Sequence, residues 1–301
     1  MDGRLNADAL PAGYVPLDPL PPGTAAVVCR AEVAAVVRDV VAHWGTLYAY
    51  AAAHPARREL RGRAAAYAVP LGADADGRTR SVVVRHGWRG GALRRLRRDL
   101  FFPPTRAPVE LATSARLRAA GVPTPEVIAY AVYPATAGLR RVDVATALVP
   151  DGIDLAALLL ASTRDPADDG ETWVRPTAAL LAALARAGAR HPDLNLKNVL
   201  LAPAPGGRVV PGARAWVLDV DVARVLAAAG APAAAGAALA ANFGRLARSV
   251  RKWAAANVAD ADVRARLDDA LQALGSRARA ELARADRGAA ALPPSAAPAR
   301  A

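Results

Sequence analysis

The residues best suited to chemistry by type and spacing lie between His191 and Asn198, in the order His-Pro-Asp-Leu-Asn-Leu-Lys-Asn. Asp193 and Asn198 are five positions apart on a predicted loop. This spacing suits one carboxylate near an attacking hydroxyl and one amide oxygen near a metal ion. A second acid, Asp219, lies at the end of the predicted strand Ala215–Val220, and an acid there beside a loop amide is how a hard Mg²⁺ ion is held near nucleotide phosphates.

The order of these groups matches a known pattern. The arrangement H-x-D-L-x-x-x-N, then a hairpin, then two apolar residues and Asp is that of the catalytic loop and metal-binding acid of kinases. Either motif alone is equally well explained by loop chemistry, because His-Pro-Asp is a plausible turn and Asp-Leu-Asn can cap local backbone. Both together, in this order and after a predicted apolar helix, favour a kinase-like site.

A kinase also needs a glycine loop over the phosphates, a cation on a strand and a helix glutamate that pairs with it. Gly62, between two predicted strands, is the candidate for close approach to phosphate. Arg85 ends the next predicted strand, residues 80–85, where the usual lysine stands, and this half of the chain contains no lysine. Glu110 is the only Glu of the predicted helix 108–120 and is expected to pair with Arg85. The ordinary alternatives are a turn glycine and a first-turn helix acid.

The elements around these residues change character along the chain. A strand-rich first half with one helix is followed by the sequence Pro150-Asp-Gly152, which is typical of a linker, and then by a helix-rich half. We therefore predict an α+β, bilobed protein-kinase-like fold. Its small lobe has an antiparallel sheet plus one helix, and its larger lobe is mainly helical. The predicted divisions are a partly helical leader (1–55), an N-terminal lobe (56–149), a C-terminal helical lobe (150–290) and a disordered tail (291–301).

Composition limits the class of protein. The chain has 301 residues, of which 53% are hydrophobic and 22% charged, so it is globular rather than disordered. Cys29 is the single cysteine, which excludes an intrachain disulfide and a cysteine-rich metal site. The Ala-rich segment 225–241 contains Pro232 and is too weakly apolar for a spanning helix, so we expect a soluble or peripheral protein. The net charge of +12 favours anionic partners, namely nucleic acid, an anionic membrane surface or phosphorylated substrates.

Over about residues 57–255 the chain resembles the bacterial lipopolysaccharide-core kinases, most closely the 3-deoxy-D-manno-octulosonic acid (Kdo) kinases. The stretch in which an arginine-containing strand runs into Arg-Gly-Gly is the most family-specific part. The residues that carry the resemblance are Arg61–Ala65, Val84–His86, Arg89–Gly91, Glu110, Gly121–Pro125, Val149–Gly152, Ala187–Gly188, His191–Asn195, Asn198–Leu201 and Leu218–Arg224.

The resemblance implies transfer of the γ-phosphoryl group of ATP to a sugar hydroxyl, with lipid A-linked Kdo as acceptor. Asp193 would orient or deprotonate that hydroxyl, Asn198 and Asp219 would hold Mg²⁺ on ATP, and Arg85 would replace the phosphate-binding lysine, held by Glu110. ATP would lie in the cleft between the lobes. The basic stretch 85–98 would attract an anionic glycolipid or sugar acceptor at the cytoplasmic face of the inner membrane, although such a charge run is as well explained as a solvated helix face.

Three positions depart from the family pattern. His86 stands where an aromatic residue is usual, Val220 replaces a Phe after the metal-binding acid, and Lys197 is an additional cation beside the catalytic loop. None of these changes removes a predicted ligand.

Other functions fit the sequence less completely. The acids Asp219 and Asp221 form the D-x-D of a metal-dependent glycosyltransferase, but this leaves the catalytic-loop pattern unexplained. A phosphotransferase of the aminoglycoside or choline type has nearly the same loop, yet its cationic acceptors favour an acidic cleft. A non-catalytic kinase-like binding protein should have lost one of the three predicted catalytic and metal-binding residues. Nucleic-acid binding is disfavoured by the 5% aromatic content and the lack of a recognisable module.

Overall fold

The computed structural model describes residues 10–60, 65–73, 76–88, 99–165, 170–202, 213–225 and 232–290. The chain forms two compact units, one of residues 1–116 with 125–150 and one of residues 117–124 with 151–301. Gly62, most of the basic stretch (89–98) and the predicted disordered tail lie outside the described residues.

A seven-stranded antiparallel sheet forms the base of the first unit, with strands in the order β1-β2-β6-β7-β5-β4-β3. Its strands are β1 (Tyr14–Pro16), β2 (Ala26–Arg30), β3 (Arg58–Leu60), β4 (Ala66–Ala73), β5 (Thr79–His86), β6 (Val127–Pro134) and β7 (Arg140–Ala147). The sequence predicts two strands at residues 64–69 and 80–85, joined by a turn that ends at Gly77. The strands β4 and β5 form this hairpin, and each is shifted from its predicted range by only a few residues.

Helices cover both faces of this sheet. The helices α1 (Ala34–Trp44) and α2 (Leu47–Ala53) pack on the face that includes Val82 and Val84, whereas α3 (Ala107–Ala119) packs on the face that includes Val144. Because side chains alternate along a strand, successive residues of β5 face opposite layers. Arg85 therefore lies on the α3 face, and its neighbour His86 lies on the face of the other two helices.

The residues predicted to form a leader contribute directly to this unit. They supply β1, β2, α1 and α2, and β2 pairs with β6 near the opposite edge from β3. The Tyr14 hydroxyl donates a 2.6 Å hydrogen bond to the Val127 carbonyl. The predicted lobe with one helix thus carries two further helices, because the apolar stripe of α1 can be buried only against the sheet.

The second unit is mainly helical and is organised around α5, whose side chains are buried on most of its surface. Its helices are α4 (Leu155–Ser162), α5 (Glu171–Arg186), α6 (Pro232–Asn257) and α7 (Ala261–Ala290). Two small antiparallel sheets accompany them, formed by β8 (Ile153–Asp154), β10 (Val199–Ala202) and β11 (Arg214–Val217), and by β9 (Ala189–Arg190) and β12 (Arg224–Val225). The α+β class predicted from the sequence is confirmed.

The Ala-rich segment that the sequence excludes as a membrane span includes the first turns of α6. Small Ala side chains at Ala235 and Ala238 are buried there, so the segment is a packed helix start. Among the described residues, no helix combines the length and apolar character needed to cross a membrane.

Candidate active site

In the first unit, the two residues predicted to pair do so. The Arg85 guanidinium on β5 forms an ion pair with the carboxylate of Glu110, in the first turn of α3. The Glu110 side chain is 8% exposed and the Arg85 side chain 32% exposed. A guanidinium presents five donors in a fixed fork, so a buried carboxylate can orient it while part of it stays accessible to an anion such as a phosphate.

In the second unit, the predicted catalytic loop is a compact turn between β9 and β10. His191 is buried, and its Nε2 lies 3.0 Å from the Leu218 carbonyl oxygen, which can only accept, so the imidazole donates this hydrogen bond. The Leu218 amide donates in turn to the Asn198 carbonyl over 2.9 Å. These two bonds hold Leu218, the residue before Asp219, against His191 at the beginning of the loop and Asn198 at its end.

Asp193 and Asn198 are brought together on this loop. The Asn198 side-chain amide donates to the Asp193 carbonyl over 2.9 Å, and the Asn195 side chain donates to the same oxygen over 3.0 Å. Asn198 is buried, whereas the Asp193 side chain is half exposed. The loop thus presents one accessible carboxylate on a rigid backbone, as a group that accepts a proton from a bound hydroxyl requires.

Asp219 begins a short turn immediately after β11 and has left-handed backbone angles, φ 53° and ψ 50°. A residue other than Gly in this region is uncommon, although Asp adopts it more readily than most residues. Such conformations cost free energy and concentrate at functional sites. The side chain of Asp219 is exposed.

The oxygen atoms of this site fit a magnesium ion. With its Nδ2 donating to the Asp193 carbonyl, Asn198 keeps its Oδ1 without a protein partner among the described residues, and so does the carboxylate of Asp219. Mg²⁺ prefers oxygen ligands and usually takes few of them from the protein, since water and substrate phosphates complete its octahedron. Among the described residues, no group of three or more His, Cys, Asp or Glu side chains could hold a metal ion. Asn198 and Asp219 would supply two oxygen ligands, which is the number that Mg²⁺ commonly takes from a protein.

Helix α6 holds the predicted catalytic loop in place, a contact that the sequence does not predict. The buried Asn242 side chain accepts from the His191 amide over 2.9 Å and donates to the Ala189 carbonyl over 2.8 Å. Ser249 Oγ accepts from the Leu196 amide over 3.3 Å. Arg245, between them on the helix, places Nη2 3.2 Å from Oδ1 of Asp193. About fifty residues separate these partners, so no local pattern relates them.

A second unpredicted pair lies in the first unit. His86 Nδ1 lies 2.6 Å from Oδ1 of Asp143, its direct partner on β7, and Nε2 lies 3.6 Å from the carboxylate of Asp99. The other oxygen of Asp143 accepts from the Tyr48 amide at the start of α2. Burial lowers the pKa of His86. The hydrogen bond and negative charge of Asp143, together with the charge of Asp99, raise this pKa by more than burial lowers it, so the pKa of the imidazole lies above its ordinary value.

The predicted site residues therefore form one group in each unit. Arg85 and Glu110 make one, and the loop from Asp193 to Asn198 with Asp219 makes the other. Only Gly62 lies outside the described residues.

Comparison with known proteins adds a family relationship. A family model described as "Lipopolysaccharide kinase (Kdo/WaaP) family" matches residues 57–265, which is more than half of the chain. No curated protein matches. Among solved structures, one described as "WaaP in complex with acyl carrier protein" is similar to the chain, with 18% sequence identity over 77% of this chain and 87% of that chain and a TM-score of 0.41. The family match includes all six residues predicted for the site.

Proposed function

The chain belongs to the lipopolysaccharide kinase (Kdo/WaaP) family, and from this premise we propose that it transfers the γ-phosphoryl group of ATP to a hydroxyl of Kdo in the lipopolysaccharide inner core. The observation that carries the proposal is the hydrogen-bonded loop in which Asp193 and Asn198 share a backbone contact and Asp219 follows a residue tied to the same loop. These three residues are the ones that phosphoryl transfer requires in kinases.

Each residue then has a distinct role. Asp193 accepts the proton of the acceptor hydroxyl or orients it, since its carboxylate is accessible on a fixed loop. Arg85, oriented by Glu110, binds a phosphate of ATP in place of the usual lysine. Asn198 and Asp219 would hold Mg²⁺, which would neutralise charge on the ATP phosphates. Catalysis of this kind consists mainly of positioning and charge neutralisation.

The acceptor proposed here is anionic, and the charge of the chain supports this. Lys+Arg exceed Asp+Glu by 39 − 27 = 12. A lipid A-linked sugar lies at an anionic membrane surface, to which a basic protein is attracted within about a Debye length of roughly 10 Å. We therefore propose that the protein works peripherally on the cytoplasmic face of the inner membrane, where ATP is available.

The test is a transfer assay with purified protein, γ-labelled ATP, Mg²⁺ and Kdo-linked lipid A. We expect label in the lipid with the wild-type protein and with the matched control Asp269→Ala. This control removes an exposed carboxylate from α7. We expect no label above background with Asp193→Ala. Label in the lipid with Asp193→Ala would contradict the assigned role of this residue. A wild-type protein that binds ATP but labels no Kdo-containing acceptor would contradict the proposed acceptor.

A further inference from the structure

We propose that Arg245 on α6 binds an anionic group of the acceptor, a carboxylate or a phosphate, beside the hydroxyl that Asp193 addresses. The inference rests on the proposed function, because it takes Asp193 as the residue that meets the acceptor. The inference makes Arg245 on α6 the residue that selects the acceptor, and it makes the selected class an acceptor with an anionic group.

The side chains of Arg245 and Asp193 are in direct contact. Nη2 of Arg245 lies 3.2 Å from Oδ1 of Asp193, and the two side chains are 44% and 50% exposed. Asp193 is the only partner of the Arg245 side chain within the described part of the chain. A guanidinium has five N–H groups, and this contact uses one end of the fork. The remaining donors are open to a ligand that approaches Asp193.

Helix α6 holds this guanidinium in a fixed place relative to the loop. Asn242, Arg245 and Ser249 are spaced at i, i+3 and i+7, so they share one face of the helix. The first and last of these bond to backbone groups of the loop. Leu246 and Val250 anchor the helix in the core. A side chain that starts from such a rigid base is suited to recognition rather than to loose surface solvation.

Positive charge continues along α6 beyond Arg245. Arg248 and Lys252 continue from Arg245 at i+3 and i+7 and are both exposed, which makes a basic stripe along α6 that begins at Asp193. Lys197, on the catalytic loop itself, is also exposed. These cations extend along α6 away from the Asp193 carboxylate. They fit an acceptor in which the reacting hydroxyl lies next to one anionic group and the rest of the molecule carries further negative charge.

The ion pair between Arg245 and Asp193 adds little to folding stability. Ion pairs between half-exposed side chains contribute little to folding because water screens them and ordering two long side chains costs entropy. An arginine fork binds a planar carboxylate or a phosphate through two parallel hydrogen bonds, which is stronger and more specific than one contact. An acceptor oxyanion would therefore become the principal partner of Arg245, and Asp193 would turn to the hydroxyl.

The test compares three variants: Arg245→Gln, which removes the charge, Arg245→Lys, which keeps the charge without the fork, and Arg251→Gln. The last is the matched control, because Arg251 is an exposed arginine on the same helix that pairs with Asp268 of α7 instead. Binding of free Kdo is measured by calorimetry, and transfer to Kdo-linked lipid A is measured separately. We expect Arg245→Gln to weaken Kdo binding about tenfold or more, Arg245→Lys to weaken it less, and Arg251→Gln to leave it unchanged.

Two further ligands identify the anion. If the Kdo carboxylate is the partner, the methyl ester of Kdo binds wild type as weakly as Kdo binds Arg245→Gln. If a phosphate is the partner, Kdo-linked lipid A without its phosphates is the poor ligand instead. Equal binding of every probe to wild type and to Arg245→Gln would overturn the inference. Arg245-dependent binding of Kdo by a protein that transfers no phosphate to any acceptor would support this inference while contradicting the proposed function.

Discussion

Arg85 on β5 and Glu110 on α3 form an ion pair across one face of the first unit's sheet. The carboxylate is buried and the guanidinium is about one third exposed. A buried acid that holds a partly exposed cation produces a fixed positive group, which a flexible lysine would provide only with its own stabilising partner. The pair is consistent with the proposed role of Arg85 in binding phosphate, in a half of the chain that has no lysine.

Replacement of Arg85 by Ala is expected to weaken ATP binding by about tenfold to a hundredfold, because a charge-assisted contact with phosphate is lost. The same change leaves the Glu110 carboxylate without this cation and lowers the free energy of unfolding by about 1–3 kcal/mol. Arg85→Lys should recover part of both losses. Dissociation constants for ATP and urea unfolding curves measure the two effects.

The matched control for this series is Arg80→Ala. Arg80 lies on the same strand but on the opposite face, and it pairs with Glu32. This variant should bind ATP as wild type does. If Arg80→Ala and Arg85→Ala weaken ATP binding equally, general loss of positive charge is responsible and the specific role of Arg85 is wrong.

Asp219 offers a test in which stability and activity separate. Its left-handed φ of 53° is strained for any residue with a Cβ, and Gly is free of this penalty of roughly 1–2 kcal/mol. Asp219→Gly should therefore unfold at a temperature no lower than wild type, whereas Asp219→Ala should unfold at a lower temperature. Both variants should lose Mg²⁺-dependent transfer by about a hundredfold or more. Full activity in Asp219→Gly would exclude this carboxylate as a metal ligand.

Asn242 tests the support that α6 gives to the catalytic loop. Asn242→Ala removes two hydrogen bonds and leaves the His191 amide and the Ala189 carbonyl without their partner, at a cost of about 2–4 kcal/mol. We expect kcat to fall about tenfold in the folded variant, since the loop loses its fixed position. Asn257→Ala, on the exposed end of the same helix, is the control that should retain both stability and kcat. Unchanged kcat in folded Asn242→Ala would contradict this positioning role.

The His86 environment predicts a pH dependence of stability. The imidazole contacts Asp143 and Asp99, the ring packs against Tyr48 and Trp88, and its pKa in the folded protein lies above the ordinary value of about 6.5. A raised folded-state pKa contributes stability that is fully present below the unfolded pKa and is lost as pH rises through the folded pKa.

The free energy of unfolding that this cluster contributes should therefore decrease as the pH rises above the ordinary imidazole pKa of about 6.5 and through the raised pKa of folded His86. His86→Gln should flatten this dependence, and His43→Gln, at an exposed histidine of α1, should leave it as in wild type. An equally steep dependence in His86→Gln would assign the titration to another group.

The elements with strong local patterns could be predicted from the sequence. The sequence predicts a short helix at residues 155–162, and α4 has this range. The elements β4, β5 and α3 differ from their predicted ranges by a few residues at most. Strand β6 was not predicted, because its run Val-Ile-Ala-Tyr-Ala-Val-Tyr is buried on both sides and shows no alternation. The strands β1 and β2 were not predicted either, since each is short and the surrounding Pro and Gly residues favour loops.

The same distinction applies to the site. Asp193, Asn198 and Asp219 belong to motifs with fixed short spacings, so residue type and order alone make them candidates. Arg85 and Glu110 require only a strand followed by a helix. By contrast, Asn242 and Arg245 reach the loop through tertiary packing over about fifty residues. Sequence periodicity assigns them to a helix surface and cannot state which neighbour that surface meets.

The decisive measurement for the proposed phosphoryl transfer is mass spectrometry of Kdo-linked lipid A after incubation with the purified protein, ATP and Mg²⁺. We expect that the acceptor gains the mass of one phosphate, that fragmentation places this phosphate on Kdo, and that Asp193→Asn yields no product. An acceptor of unchanged mass, with ATP bound and Asp193 intact, would contradict the proposed acceptor. A phosphorylated product formed equally by Asp193→Asn would contradict the catalytic role of that residue.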